Sequence, residues 1–424
     1  MTSRRILFLS LIPITMIGIY IFLLGVNIPF WDQWEVVPLL MKKQQGVLSF
    51  ADLFAQHNEH RPFFPRLIWL TLSGFTHYNV NVELWINLLI AVGTFVFVAG
   101  RVMKTWDRLG ISTPPLMIPL MSLLVFNLGQ RESWLQGFQT VMFLGVACVI
   151  VGIFILAENA SWSSFFVAIV LGIIANYSMA NGLLYWPIGL IVLFITTSKE
   201  LRLIRIALWV ICGGLCIGLF LSGWTSGGHL NFDYVFSHIL EWFIWLLNFL
   251  GAPLMTLWYV AWIFGSISIG LYILIIGHVI RTDQWRPLIP YFAIVLFILF
   301  TALTISFGRM EMGMPQSVVP RYLTMSVWYW VSLLALLPLL NMKSLYQYLL
   351  YSLLTISLVF LMIGGGWRGY VSLHQRMLPA YQAARSGQTI SEDVLAKIFP
   401  SPKDIRAQID FLRENKLSAW SEIR

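Results

Sequence analysis

Long uninterrupted apolar stretches recur along the chain, and they constrain its fold more than any other feature. Of the 424 residues, 58% are hydrophobic and 11% are charged, whereas soluble domains average about 25% charged residues. A stretch of about 20 apolar residues matches the thickness of a bilayer's hydrocarbon core, where a helix satisfies all of its own backbone polar groups. The sequence therefore predicts an all-α polytopic membrane protein.

About eleven helices of bilayer-crossing length are expected. Their approximate bounds are 6–26, 84–102, 116–128, 141–156, 165–177, 183–196, 206–221, 255–280, 288–307, 323–340 and 346–363. We expect the further apolar stretch at 239–250 to lie in the interface or to re-enter the membrane rather than to cross it. The reason is that Gly251, Ala252 and Pro253 interrupt it.

The spans divide the chain into a large membrane part and a small polar part. The predicted transmembrane domain covers residues 1–366 and includes a long first exterior loop at 27–83. The predicted second unit is a short helical exterior tail at 367–424.

Basic residues at the span ends predict the orientation. Arg4 and Arg5 precede the first span, which places the N-terminus in the cytoplasm. That span has no small-residue cleavage site, so we expect a retained helix and not a signal peptide. An odd number of crossings then places the C-terminus outside. The net charge of +8 is explained by cytoplasmic anchoring, and nucleic acid is not an expected partner.

Mixed-sign clusters occur at the opposite, exterior ends of the spans. Their members are Asp32, Glu35, Glu59, His60, Arg61, Arg66, Arg131, Glu132, Arg309, Glu311 and Arg321. Anchoring does not require carboxylates, and polar groups near a bilayer are costly and tend to mark functional sites. We therefore expect these clusters to converge on one exterior cavity.

The position of this polarity bears on the function class. A secondary transporter more often places its site near the midplane, on broken helices. Here few ionisable groups fall within spans, which favours catalysis on a lipid headgroup. The alternatives are a transporter or flippase of a lipid-linked saccharide and a non-catalytic subunit of envelope polymer machinery.

A family resemblance adds to this interpretation. A first helix followed by a large exterior loop, with an acidic residue just past the membrane, resembles the GT-C class of glycosyltransferases. More narrowly, the chain resembles bacterial membrane glycosyltransferases that modify surface polysaccharides. The segments that support the resemblance are Asp32 to Glu35, His57 to Arg66, Glu132 to Gln139 and Arg309 to Tyr322.

The resemblance implies a GT-C-like fold in the bacterial inner membrane and a specific reaction. In that class a sugar passes from a polyprenyl-phosphate carrier to a glycan or lipid acceptor on the exterior face. Membrane lipids are the implied surroundings. Asp32 would occupy the catalytic acidic position of the class.

Transfer from a phosphate-linked sugar needs a base for the acceptor hydroxyl and cations for the departing phosphate. We predict Asp32 as the base, because the helix end holds it at the membrane surface. The alternative is that Asp32 caps the next helix, since Asp is a favoured N-cap. Glu35, one helical turn later, is a second catalytic candidate or a metal ligand, and a surface role is its alternative.

The segment from His57 to Arg66 is predicted to bind substrate. Arg61 and Arg66 could grip a phosphate as planar forks, while Glu59 orients Arg61 or the acceptor. The alternative is a lipid-facing belt, in which Phe63, Phe64 and Trp69 anchor the loop. The two histidines with Glu59 lack the spacing of a recognised zinc motif, so a divalent metal remains open as a cofactor.

Three further groups complete the candidates. Arg309 and Arg321 are predicted to bind the carrier phosphate, with headgroup contacts or a pair with Glu311 as the alternative. Glu132, with Trp134 and Gln139, could bind sugar, or these aromatics could form an interface belt. The remaining predicted substrate contacts are His60, Arg131 and Tyr322.

Overall fold

The computed structural model describes residues 3–112, 114, 116–158, 161–225 and 231–422, apart from the side chains of Ser3 and Arg4. The anchoring role expected of Arg4 therefore lies outside the described residues. Within these ranges every regular element is a helix, and the only β feature is an isolated bridge between His57 and His60. The all-α prediction is confirmed for this part of the chain.

Eight of the described helices are long and apolar enough to cross a membrane: Arg5–Leu24, Val80–Arg108, Gly137–Glu158, Lys199–Leu221, Trp258–Thr282, Arg286–Met312, Pro320–Leu340 and Ser344–Arg385. Three shorter apolar helices are Trp162–Asn176, Ala180–Thr196 and Ile239–Gly251. Large apolar side chains such as Phe22 and Ile280 are exposed on the outer faces, as expected of a surface covered by lipid. These features agree with a polytopic membrane protein, and the exact number of crossings stays a prediction.

The expected span at 116–128 is much shorter in the structure. Its helix is Met117–Val125, nine residues long, which corresponds to about 14 Å. Asn127 ends it, because its side chain accepts a hydrogen bond from the Gly129 N–H at 2.8 Å and donates one to the Leu358 carbonyl at 2.9 Å. The chain then continues as short helical turns. This buried helix is too short to cross a bilayer by itself.

The helix Ile239–Gly251 ends where glycine and proline were expected to interrupt it. It folds back against Trp258–Thr282 at very close range. A Cβ atom on Gly251 would lie 1.9 Å from the Ala261 carbonyl oxygen, and one on Gly265 would lie 2.1 Å from that of Leu247. Small residues therefore allow the two backbones to touch, as is common between helices in membranes.

The first loop is a folded unit and not a flexible connection. Its helices are Trp31–Val36, Val37–Gln44, Phe50–Phe54 and Phe63–Thr76. Trp34 and Trp69 are both 1% exposed, and the Lys43 ammonium donates to the Leu70 carbonyl at 2.7 Å. The loop thus has its own buried contacts, which fix the positions of its polar side chains.

The last long helix continues through the predicted domain boundary at 366/367. It runs from Ser344 to Arg385 with one π-helical turn at Tyr370–His374. Beyond it lie the helices Glu392–Ile398 and Arg406–Glu414. The tail is therefore a direct extension of a membrane helix.

Polar contacts between segments occur at both ends of the long helices. The Leu24 carbonyl at the end of the first helix is 2.9 Å from His374 Nδ1, and the Ser418 N–H donates to the His77 carbonyl at 2.8 Å. The first loop and the tail therefore lie at the same end of the molecule. At the other end Arg101 contacts Glu158 at 2.6 Å.

Candidate functional site

A cavity of about 530 Å³ opens at the end of the molecule that holds the first loop. Seven of the candidate side chains line it: Asp32, Glu59, His60, Gln139, Arg309, Arg321 and Tyr322. They come from the first loop and from the ends of three long helices. The structure therefore brings together residues that are far apart in sequence, as the convergence hypothesis requires.

The cavity also has an apolar side, formed where membrane helices begin or end. Its residues are Val141, Met142, Leu183, Leu184, Ile305 and Met325. A cavity with charged groups on one wall and aliphatic groups on another suits an amphipathic ligand.

Asp32 lies on the short 3₁₀-helix Trp31–Val36, whose N-cap is Phe30. The alternative in which Asp32 serves as an N-cap is therefore wrong. Its neighbours hold the turn in place: Gln33 is 1% exposed and donates to Glu83 at 3.1 Å, and Trp34 is buried. The Asp32 side chain itself is 47% exposed and makes no hydrogen bond to the described part of the chain.

A tight turn at residues 57–60 forms the adjoining wall. The His57 N–H donates to the His60 carbonyl at 2.8 Å, and the His60 N–H donates back at 2.9 Å. Asn58 takes a left-handed conformation with φ 48°, which asparagine tolerates better than most residues. This geometry points Asn58, Glu59 and His60 towards the cavity.

Each cavity arginine is paired with a carboxylate. Arg309 Nη2 lies 2.9 Å from Glu59 Oε1, and Arg321 Nη1 lies 3.5 Å from Glu132 Oε2. The Arg321 guanidinium also stacks over the Tyr322 ring at 5.3 Å. Glu132 therefore contributes by positioning Arg321, and it does not line the cavity itself.

His60 is a neutral hydrogen-bond donor at neutral pH. Its Nδ1 accepts a hydrogen bond from the Ala180 N–H at 3.0 Å, so the proton of the neutral ring is on Nε2. Burial lowers the pKa of His60 to about 4. The side chain thus offers an N–H group without adding a charge.

Arg61 and Arg66 are not cavity residues. Arg61 donates to the carbonyls of Phe220 at 2.8 Å, Phe54 at 3.0 Å and Ser222 at 2.5 Å. Arg66 donates to the carbonyls of Leu53 and Ala55 at 2.9 and 2.5 Å, and burial lowers its pKa to about 10.

The predicted phosphate contacts therefore do not hold for these two arginines, because backbone oxygens at helix ends already occupy both guanidinium groups. The lipid-belt alternative fails for Trp69. This residue is buried, and its indole N–H points to Thr140 Oγ1 at 3.3 Å.

Glu35, Arg131 and Trp134 also lie outside the cavity lining. Glu35 is exposed on the loop surface. Arg131 is half-buried near Glu132 and Arg368, and burial lowers its pKa. Trp134 is fully buried and donates to the Asn127 carbonyl at 3.0 Å, so neither the predicted sugar contact nor an interface belt describes it.

Several lining residues had no predicted role. They are Trp31, Asn58, Asn181, Trp224 and Thr304. Asn181 donates to Thr304 at 3.0 Å, and the Trp224 indole N–H points to the Glu59 carbonyl at 3.4 Å. Trp31, Asn181 and Trp224 lie just after expected span ends, which was a usable signal, but tryptophan at such a position also fits an interface belt.

Across residues 3–422, within the described ranges, no group of three or more His, Cys, Asp or Glu side chains is arranged to hold a metal ion. The two histidines and Glu59 do not form such a group, because His60 Nδ1 is bound to Ala180 and Glu59 is bound to Arg309.

Comparison of the chain with protein-family models, with curated proteins and with solved structures finds no match in any of the three.

Proposed function

We propose that this protein is a GT-C-like membrane glycosyltransferase with about eleven bilayer-crossing segments. It would transfer a sugar from a polyprenyl-phosphate carrier to a glycan or lipid acceptor at the exterior face of a bacterial inner membrane. The observation that supports this most is the cavity itself. It combines a half-exposed Asp32 and the arginines Arg309 and Arg321 with an apolar wall.

The apolar wall suits the isoprenoid chain of the donor. Met142, Leu184 and Ile305 lie at the ends of membrane helices, so a chain entering from the bilayer would meet aliphatic groups first. Each buried methylene group contributes about 0.8 kcal/mol. The phosphate would then lie close to the arginines at the same rim.

Asp32 would act as the base. Its carboxylate removes the proton of the acceptor hydroxyl, whose oxygen forms a bond to the anomeric carbon. The bond from that carbon to the phosphate oxygen breaks, and the phosphate keeps the electron pair. Arg309 and Arg321 would stabilise the charge that develops there.

The Glu59 carboxylate binds Arg309 in the way that a phosphate oxygen would. A guanidinium binds carboxylate and phosphate with the same planar donors. A bound donor phosphate would therefore compete with Glu59 for Arg309. Once released, Glu59 would become an acceptor for sugar hydroxyls.

Reconstituted protein tests the proposal directly. The full chain in proteoliposomes is supplied with polyprenyl phosphates that carry a radiolabelled hexose or pentose, and sugar release or transfer is measured. We expect turnover by the wild type and at least a hundredfold loss in Asp32→Asn. Asp233→Asn is the matched control, because Asp233 is exposed and lies away from the cavity lining.

The same vesicles distinguish the transferase from the transporter alternative. Movement of the labelled lipid between leaflets without a covalent product would overturn the transferase proposal. Full activity of Asp32→Asn would overturn the assignment of the base.

A further inference from the structure

His57 lies next to Asp32 and is not itself among the residues that line the cavity. Its Nε2 atom is 3.8 Å from Asp32 Oδ1, and its side chain is 10% exposed, against 47% for Asp32. The ring packs on Phe138 with 5.0 Å between centroids. The backbone bridge to His60 fixes the turn that holds it.

The hydrogen bonds of His57 define which nitrogen carries its proton. The Asn58 side-chain amide lies 3.1 Å from His57 Nε2, and an amide nitrogen can only donate. Nε2 is therefore an acceptor, and the proton of the neutral ring is on Nδ1.

Several charges face this imidazole from the elements around it. Burial lowers the pKa of His57 below its usual range, the Asp32, Glu35 and Glu59 carboxylates act against that change, and Arg66 adds to it. His60 is a further titratable neighbour in the same turn. The ring is thus neutral at pH 7.

Two hydrogen-bond acceptors therefore face each other across 3.8 Å without a proton between them. This distance is too long for a hydrogen bond. One added proton would allow the two atoms to close to about 2.8 Å as a charge-assisted pair. Nε2 has a single lone pair, so it accepts this proton when the Asn58 amide turns away from it.

We propose that His57 is the positioning residue of Asp32 and the acceptor of the proton that Asp32 removes. This inference rests on the proposed function. The proton passes from the acceptor hydroxyl to the Asp32 carboxylate and then to His57 Nε2, while the hydroxyl oxygen bonds to the sugar. The products are an imidazolium paired with a carboxylate, and the carrier phosphate takes the electron pair of the broken bond.

The pairing has a test that needs no activity. The full chain, with histidine isotopically labelled on its ring nitrogens, is titrated in nanodiscs by NMR. The chain has seven histidines, and His57→Gln assigns the His57 signal. We expect Asp32→Asn to lower the pKa of His57 by on the order of one unit, because a neighbouring negative charge is lost. Asp233→Asn should leave it unchanged. An identical titration in Asp32→Asn would overturn the pairing.

The proton transfer is tested by turnover of the radiolabelled polyprenyl-phosphate sugars as a function of pH. We expect His57→Gln to lower kcat by roughly ten- to a hundredfold and to shift the acid limb of the pH profile. His238→Gln serves as the control, since His238 lies outside the cavity lining.

A wild-type rate and pH profile in His57→Gln would overturn the role in proton transfer while the proposed function stands. Absence of turnover by the wild type with every donor would overturn the function and the proton transfer together. The titration would then still decide the pairing.

Discussion

Arg309 and Glu59, 250 positions apart in the chain, form an ion pair of 2.9 Å in the lining of the cavity. Glu59 belongs to the same four-residue turn as His57, which contacts Asp32. A single turn therefore connects the cationic side of the cavity with its acidic side. Movement of this turn would therefore displace Glu59 and His57 together, and with His57 the neighbour of Asp32.

The ion pair predicts opposite effects of removing its two members. Glu59→Gln should tighten the binding of an unglycosylated polyprenyl phosphate by roughly two- to fivefold, because Arg309 loses a competing partner that is partly exposed. Arg309→Gln should weaken binding. Affinity is measured in nanodiscs, with Glu311→Gln as the matched control. Weaker binding by Glu59→Gln would show that Glu59 does not compete with the phosphate.

Arg61 is predicted to affect stability and not ligand binding. Arg61→Met removes charge-assisted hydrogen bonds to three backbone carbonyls, which should lower the free energy of unfolding by about 2–4 kcal/mol. Denaturant unfolding followed by tryptophan fluorescence measures the change. Arg376→Met, at an exposed arginine of the tail helix, should have little effect. Reduced polyprenyl-phosphate affinity in folded Arg61→Met would contradict the structural role.

Gly137 permits the close packing that supports the Asp32 turn. A Cβ atom there would lie 2.0 Å from Glu83 Oε2 and 2.7 Å from Gln33 Nε2. Gly137→Ala should therefore cost about 1–3 kcal/mol of stability and displace Gln33, which lowers transfer. Gly93→Ala is the control, because a Cβ at Gly93 meets nothing within 4 Å. Equal melting temperatures and rates for the two variants would refute this prediction.

His60 predicts a loss of stability on acidification. Burial lowers its pKa to about 4 in the folded protein, against about 6.5 in an unfolded chain. Between these pH values the unfolded state binds more protons than the folded state. The contribution of His60 to the free energy of unfolding is therefore fully present above pH 6.5 and is lost as the pH falls towards 4.

The contribution of His60 is on the order of 3 kcal/mol. Thermal unfolding of the wild type and of His60→Gln at pH 7 and pH 5 measures it. The variant should lose much of the pH dependence, while His238→Gln should keep it. Equal pH dependence in wild type and His60→Gln would contradict the assignment.

The general architecture could be predicted because apolar stretches of bilayer length leave few alternatives. For the same reason charged residues are confined to helix ends, so Asp32, Glu59, Arg309 and Arg321 were expected at one end of the molecule. The short helix Met117–Val125 could not be foreseen. The side chain of Asn127 ends it through a contact with Leu358, far away in sequence.

The roles of the loop arginines could not be predicted from the sequence for a similar reason. Arg61 and Arg321 have the same chemistry and both lie in segments predicted to be exterior, yet one binds backbone carbonyls and the other faces the cavity. Which carbonyls are left without partners at a helix end depends on packing between distant segments. The buried contact of Gln33 with Glu83 likewise depends on packing between segments that are distant in sequence.

The contacts between tail and first loop have a consequence for biosynthesis. Asn27 donates to Glu422 at 2.8 Å, across 395 positions, and Ser418 binds the backbone at His77. During translation the loop emerges long before these partners exist. The contacts that hold the first loop to the tail therefore form last, after the intervening helices have been synthesised.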